Sequence, residues 1–143
     1  MNFQPLTING KTIKLRITSR DHKELEMLLG CSIMTLMQAQ DKMLDPIEPL
    51  CKMIYVANKY YAKQGEQPEL TLDQVYDLYD AMIDEGFDVE KAIELLMQIG
   101  EVSGFFPKGT VEKMEAERQA ELEAMNQPEE PDQPEESEKK PKV

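Results

Sequence analysis

From Ile47 to Ile99 apolar side chains return every three or four positions, and each run is bounded by residues that start or stop a helix. Ile47, Leu50, Cys51, Ile54, Ala57 and Tyr61 make one stripe. Leu72, Val75, Tyr76, Tyr79, Met82 and Ile83 make a second, and Val89, Ala92, Ile93, Leu96 and Ile99 a third. This is the period of an amphipathic helix that buries one side against its neighbours. The punctuation agrees with it. Asp45-Pro46-Ile47-Glu48-Pro49 suits a helix start, although the second proline leaves the capping residue open. Thr71-Leu72-Asp73-Gln74 matches a capping box, in which the threonine and glutamine side chains each satisfy the other's backbone N–H. Gly86 is the expected stop of that helix, Asp88 the cap of the next and Gly100 its end, while residues 63–70 read as a polar loop.

Upstream the period changes from helical to alternating. Leu6, Ile8, Ile13, Leu15 and Ile17 alternate with Thr7, Thr12, Lys14 and Arg16 around Asn9-Gly10. That dipeptide accepts the positive φ angles of a type I′ turn, whose twist suits two antiparallel strands. Pro5 limits the first strand to an edge, and a lone hairpin is marginal in water, so its apolar face must pack on the helices. Thr18 or Ser19 can cap a helix through about Leu29, with Leu25, Leu28 and Leu29 inward and Gly30 as its stop. A further helix is expected from Ser32 toward Met43, with Ile33, Leu36 and Met37 inward. The fold class predicted is mainly α (α+β): an N-terminal hairpin packed on a bundle of about five helices.

Beyond Pro107 the composition shifts. Residues 111–126 are charged helix formers with few apolar members, namely Val111, Met114, Leu122 and Met125. Residues 127–143 are acidic and punctuated by proline, a composition that cannot bury enough apolar surface to order itself. The expected organisation is therefore a folded domain over 1–110, a charged helical extension over 111–126 and a disordered acidic tail over 127–143. Net charge is −12 in 143 residues, half of it on the last 32. Such a balance repels nucleic-acid backbones and anionic bilayers, whose partners carry basic footprints, and suits a basic partner. No basic, apolar leader opens the chain and no apolar run reaches the length of a membrane span, so a cytoplasmic protein is expected. Cys31 and Cys51 lack metal-ligand spacing and read as reduced thiols.

No arrangement for catalysis or cofactor binding is visible. His22 is the single histidine, and neither a nucleophile elbow, a zinc-binding His pair, a phosphate-cradling loop nor a Cys-x-x-Cys pair occurs. The candidate residues belong instead to a surface for another protein. Asp73, Asp77, Asp80 and Asp84 are spaced 4, 3 and 4 and so lie on one stripe of their helix. A solvated outer face accounts for them, and so does a docking strip for lysines and arginines; straight helical carboxylates make a poor calcium cage. Ten methionines is a high count, and Met34, Met37 and Met53 fall close together with Met43. Methionine fills gaps in cores and also suits surfaces that accept varied apolar helices. Phe105-Phe106 beside Pro107 reads equally as a plug on the core or as an apolar patch for a partner.

Two stretches resemble small tail assembly chaperones of long-tailed phages and prophages of Gram-positive bacteria. Thr12-Ile-Lys-Leu-Arg-Ile-Thr-Ser-Arg20, followed by Leu25-Glu26 and Leu28-Leu29-Gly30, is similar to the family's opening. Thr71-Leu-Asp-Gln-Val-Tyr-Asp-Leu-Tyr-Asp80 and Asp84-Glu85-Gly86, with Ser103-Gly104-Phe105-Phe106, resemble its second half. Together these cover roughly residues 8–106, and they are caps and packing positions rather than chemistry. The resemblance implies a protein of the host cytoplasm, absent from the mature virion. Its job would be to coat the long, apolar, helix-rich tape measure protein until tail tube subunits replace it. It also implies contact with the tail tube protein, self-association, and a programmed frameshift near the 3′ end of the gene, for which paired Lys139-Lys140 codons are a candidate slippery site. Two other readings stay open: an acidic inhibitor or DNA mimic, and a structural component of the tail.

Overall fold

The computed structural model describes residues 1–38 and 45–126. They are mostly helical, with one two-stranded antiparallel hairpin at the N-terminus, as expected from the sequence. Met1–Val111 form one compact unit. From Glu112 the chain belongs to a second unit, described as far as Asn126, where it is helical.

The hairpin pairs β1 (Gln4–Ile8) with β2 (Lys11–Leu15), Leu6 opposite Ile13 and Ile8 opposite Lys11. Asn9 and Gly10 turn it with φ of 52° and 78°, the positive pair that a type I′ turn needs and that asparagine and glycine accept most easily. Leu6, Ile8, Ile13 and Leu15 share one face. Leu15 at its base is fully buried, whereas Leu6, Ile8 and Ile13 toward the tip are half-buried. On the other face the Thr7 and Thr12 hydroxyls bond each other at 2.7 Å. The outer edge of β2 is occupied: Gln67 Oε1 accepts the Lys14 N–H at 2.7 Å, Gln67 Nε2 donates to the Lys14 carbonyl at 2.9 Å, and the Arg16 N–H donates to the Ala57 carbonyl. One glutamine side chain thus stands in for a third strand.

After a 3-10 turn at Ser19–Asp21 the chain forms α1 (His22–Leu29), α2 (Ile33–Gln38), α3 (Ile47–Lys63), α4 (Leu72–Asp84), α5 (Val89–Val102) and α6 (Thr110–Asn126). The first helix therefore opens two or three residues later than a Ser19 or Thr18 cap implies, because the Asp21 N–H bonds the Thr18 carbonyl in a tighter turn and Asp21 Oδ2 takes the Thr18 hydroxyl. Of the expected helix from Ser32 to Met43, residues 33–38 are helical and the rest lies outside the described residues, as does the expected tail at 127–143.

Helix α3 is the axis of the first unit, packed against β2, α1, α4 and α5. Its buried residues wrap more than half its circumference: besides the predicted stripe, of which Ile47 alone is exposed at the start of the helix, Met53, Val56 and Asn58 are fully buried. A helix covered on most sides needs apolar residues off its main stripe. Lys52 ties α1 to it, donating to the Leu28 carbonyl at the end of α1 at 2.8 Å while pairing with Glu48.

The capping box at Thr71 is formed, with Gln74 N–H donating to Thr71 Oγ1 and the Thr71 N–H donating to Gln74 Oε1. Asp88 caps α5 through the Lys91 N–H. Gly100 does not end α5. The helix continues to Val102, and Gly104 takes the left-handed conformation at φ 87°. There the Phe105 N–H returns to the Gly100 carbonyl at 2.8 Å and the Gly104 N–H to the Glu101 carbonyl at 3.1 Å, the two bonds of a Schellman closure. Gly100 serves packing instead: a Cβ built on it would lie 2.8 Å from the tip of the Phe106 ring and 3.4 Å from Phe105. Glu101 then accepts the Gly109 and Val111 N–H groups, placing a carboxylate at the start of α6.

Candidate protein-binding site

The residues predicted for a partner surface do not gather in one place. Met53 is fully buried on α3 and is corrected to a core residue, because α3 is enclosed on the side it occupies as well as on its main stripe. Met34 is 62% exposed on α2, and the side chain of Met37 lies outside the described residues. Phe105 and Phe106 are half-buried. They close over Gly100, and Phe105 meets His22 edge-on at 5.0 Å between ring centroids, so the pair seals the end of α5.

Asp73, Asp77, Asp80 and Asp84 are all exposed on α4. None has an ion pair among the described residues. Also among the described residues, no three acidic, histidine or cysteine groups converge as a metal site would require. No described helix is long and apolar enough to cross a membrane.

A feature absent from the sequence reading lies beside this stripe. Leu6, Ile8 and Ile13 of the hairpin face Pro68, Leu70 and Leu78 across a half-open cleft of about 690 Å³. That volume is within the range of about 300–1,000 Å³ of ordinary binding clefts. Lys11 lies at its hairpin end, Glu66 and Gln67 along the loop, and Gln74 and Asp77 on α4. Lys14 neutralises Glu66 at 2.7 Å, so among the described residues the one unpaired carboxylate lining the cleft is Asp77.

The loop wall of the cleft is fixed in place by polar bonds to α3 and to the hairpin. Asn58 is fully buried on α3. Its Nδ2 donates to the Pro68 carbonyl at 3.2 Å and its Oδ1 accepts the Leu70 N–H at 3.0 Å. The Gln67 amide also reaches the Asn58 carbonyl at 3.2 Å. These bonds pin residues 67–70 to α3, with Pro68 and Leu70 along the cleft. The hairpin alternation already marks Leu6, Ile8 and Ile13 as needing cover. Leu78 could have been found as the apolar residue of α4 that falls outside its main stripe.

Cys51 is fully buried on α3. Burial, followed by Asp80 and Asp45, pushes its thiol up to about 12. The buried thiol of the fold stays protonated where the unfolded thiol, at its ordinary value of 9.0, ionises. Its contribution to stability is therefore complete below pH 9 and lost as pH rises toward 12; burial raises Tyr79, Tyr61 and Tyr76 in the same direction. The denaturant midpoint is expected to be level from pH 7 to about 9 and to fall above it. Native Cys51 should resist iodoacetamide while half-buried Cys31 reacts first. A midpoint independent of pH through the alkaline range, or equal alkylation of both thiols, would contradict this placement.

No protein-family model matches the chain, nor does any curated protein or solved structure.

Proposed function

We propose that this protein is a tail assembly chaperone of a long-tailed phage or prophage, which binds apolar helical segments of the tape measure protein and keeps them soluble until the tail tube forms. The observation that carries the reading is a coincidence of place. The two stretches that resemble the family, residues 12–20 and 71–80, supply Thr12 and Ile13 on one side of the cleft and Gln74, Asp77 and Leu78 on the other. Residues far apart in sequence thus meet at one apolar, half-open surface. A coat protein needs such a surface, moderately apolar and rimmed by charge, more than it needs reactive groups. The acidic composition fits the role by keeping the coated complex apart from other copies and from nucleic acid.

The competing reading is a structural tail component, since an apolar cleft also suits a permanent subunit contact. Mass spectrometry of an assembling lysate and of purified particles separates the two. A chaperone is abundant in the lysate and missing from particles. Recovery of the chain from particles in the proportions of a tail subunit would replace the proposal with the structural one.

A further inference from the structure

We infer that the cleft between the hairpin and α4 receives an amphipathic helix with lysines or arginines along one flank, apolar side chains filling the cleft and the basic flank lying over the Asp73–Asp84 stripe. This deepens, and rests on, the reading of the protein as a coat for helical segments.

Three observations choose this occupant. The first is charge. Asp73, Asp77, Asp80 and Asp84 form a row about 16 Å long at the rise of an α-helix, unpaired among the described residues. Asp77 is both a member of this row and part of the cleft, so apolar and acidic surfaces are continuous. A helix with basic residues at the same three- and four-residue spacing matches the row along its length.

The second is the state of the hairpin edges, which excludes an added strand. The register that turns Lys14 toward Gln67 also turns Pro5 and Thr7 outward on β1. Pro5 has no N–H, so β1 offers a third strand only Thr7 as a complete pair. On β2 Gln67 occupies Lys14 and Ala57 holds Arg16 just beyond the strand, so only Thr12 is left to pair with a third strand. A partner that must bring its own backbone hydrogen bonds is a helix.

The third is the sign of the chain itself. With a net charge of −12, a second copy would bring more carboxylates to the acidic row.

The test uses the full chain and a designed amphipathic peptide, labelled for fluorescence anisotropy, in two versions: leucine stripe flanked by lysines, or the same stripe flanked by glutamates. The lysine version should bind at least about tenfold more tightly, with the difference shrinking as salt rises. Ile8→Ser and Leu78→Ser should each weaken the lysine version by about tenfold. Asp73→Asn with Asp77→Asn should weaken it less and flatten its salt dependence. Ile8 lies at the hairpin tip, so its variant is expected to keep the wild-type melting curve, and amide chemical shifts on the unmodified chain provide a reading free of mutation. Shifts centred on Ile8, Ile13, Leu70 and Leu78 support the proposal. Equal binding of both peptides, shifts centred elsewhere, or a homodimer broken by Ile8→Ser would overturn it. The peptide is a designed sequence, so its capture reads the cleft alone. Capture without any effect on a tape measure protein would uphold the cleft and sink the proposed function. A solubilised tape measure protein with the peptide unbound would do the reverse.

Discussion

Asn58→Leu is expected to lower the unfolding free energy by about 3 kcal/mol, the combined cost of losing the two hydrogen bonds that the fully buried Asn58 amide makes to the part-buried backbone of the loop. At the usual entropy of a domain of this size that is a fall in melting temperature of about 15 °C. Leucine nearly matches asparagine in shape, so little of the loss comes from packing. It comes from the Leu70 N–H and the Pro68 carbonyl, which the Asn58 amide satisfies at 3.0 and 3.2 Å from inside the core. The effect should also be local. Amide exchange at Leu70 is expected to accelerate more than at β1 or α5, since the loop over 66–70 loses its anchor to α3. A thermal melt and an exchange profile check both parts. A change below about 1 kcal/mol would show that the loop is held by its apolar contacts instead.

Gly100→Val is expected to cost about 2–3 kcal/mol, because a Cβ there already meets the Phe106 ring at 2.8 Å and a branched side chain must push both rings off the end of α5. Gly100→Ala should cost much less. Alanine recovers about 1 kcal/mol of helix propensity over glycine, which offsets the smaller displacement of a ring tip. Denaturant melts of the two variants check the ordering. Equal stability of the valine variant and the parent would mean that Phe105 and Phe106 are not seated on α5 and are free to contact a partner.

The parts of the fold that depend on neighbours in sequence were readable in it. Asn9-Gly10 announces its turn because two adjacent positive φ angles are a local demand. Thr71 and Gln74 announce a helix start because both halves of the capping box lie within four residues. The end of α5 was misread for a reason of the same kind. Gly100 follows the last residue of the apolar period and so looks like a stop, but Phe105 and Phe106 make it a packing position and hand the left-handed turn to Gly104. What escaped is long-range. Helical period shows that α3 is amphipathic, yet not that four elements surround it, so Met53 looked available and Asn58 went unnoticed. The acidic stripe was legible from its spacing, and the cleft beside it was not. It arises where a hairpin, a loop and a helix meet, each with apolar residues that its own pattern leaves only partly covered.

The most direct test of the account is whether this chain keeps a tape measure protein in solution. Expressed alone, a long apolar helical protein of that kind should be found in the insoluble fraction. Expressed with this chain it should move to the soluble fraction and copurify with it, and Ile8→Ser with Leu78→Ser should send it back. A tape measure protein that stays insoluble beside the wild-type chain would contradict the account.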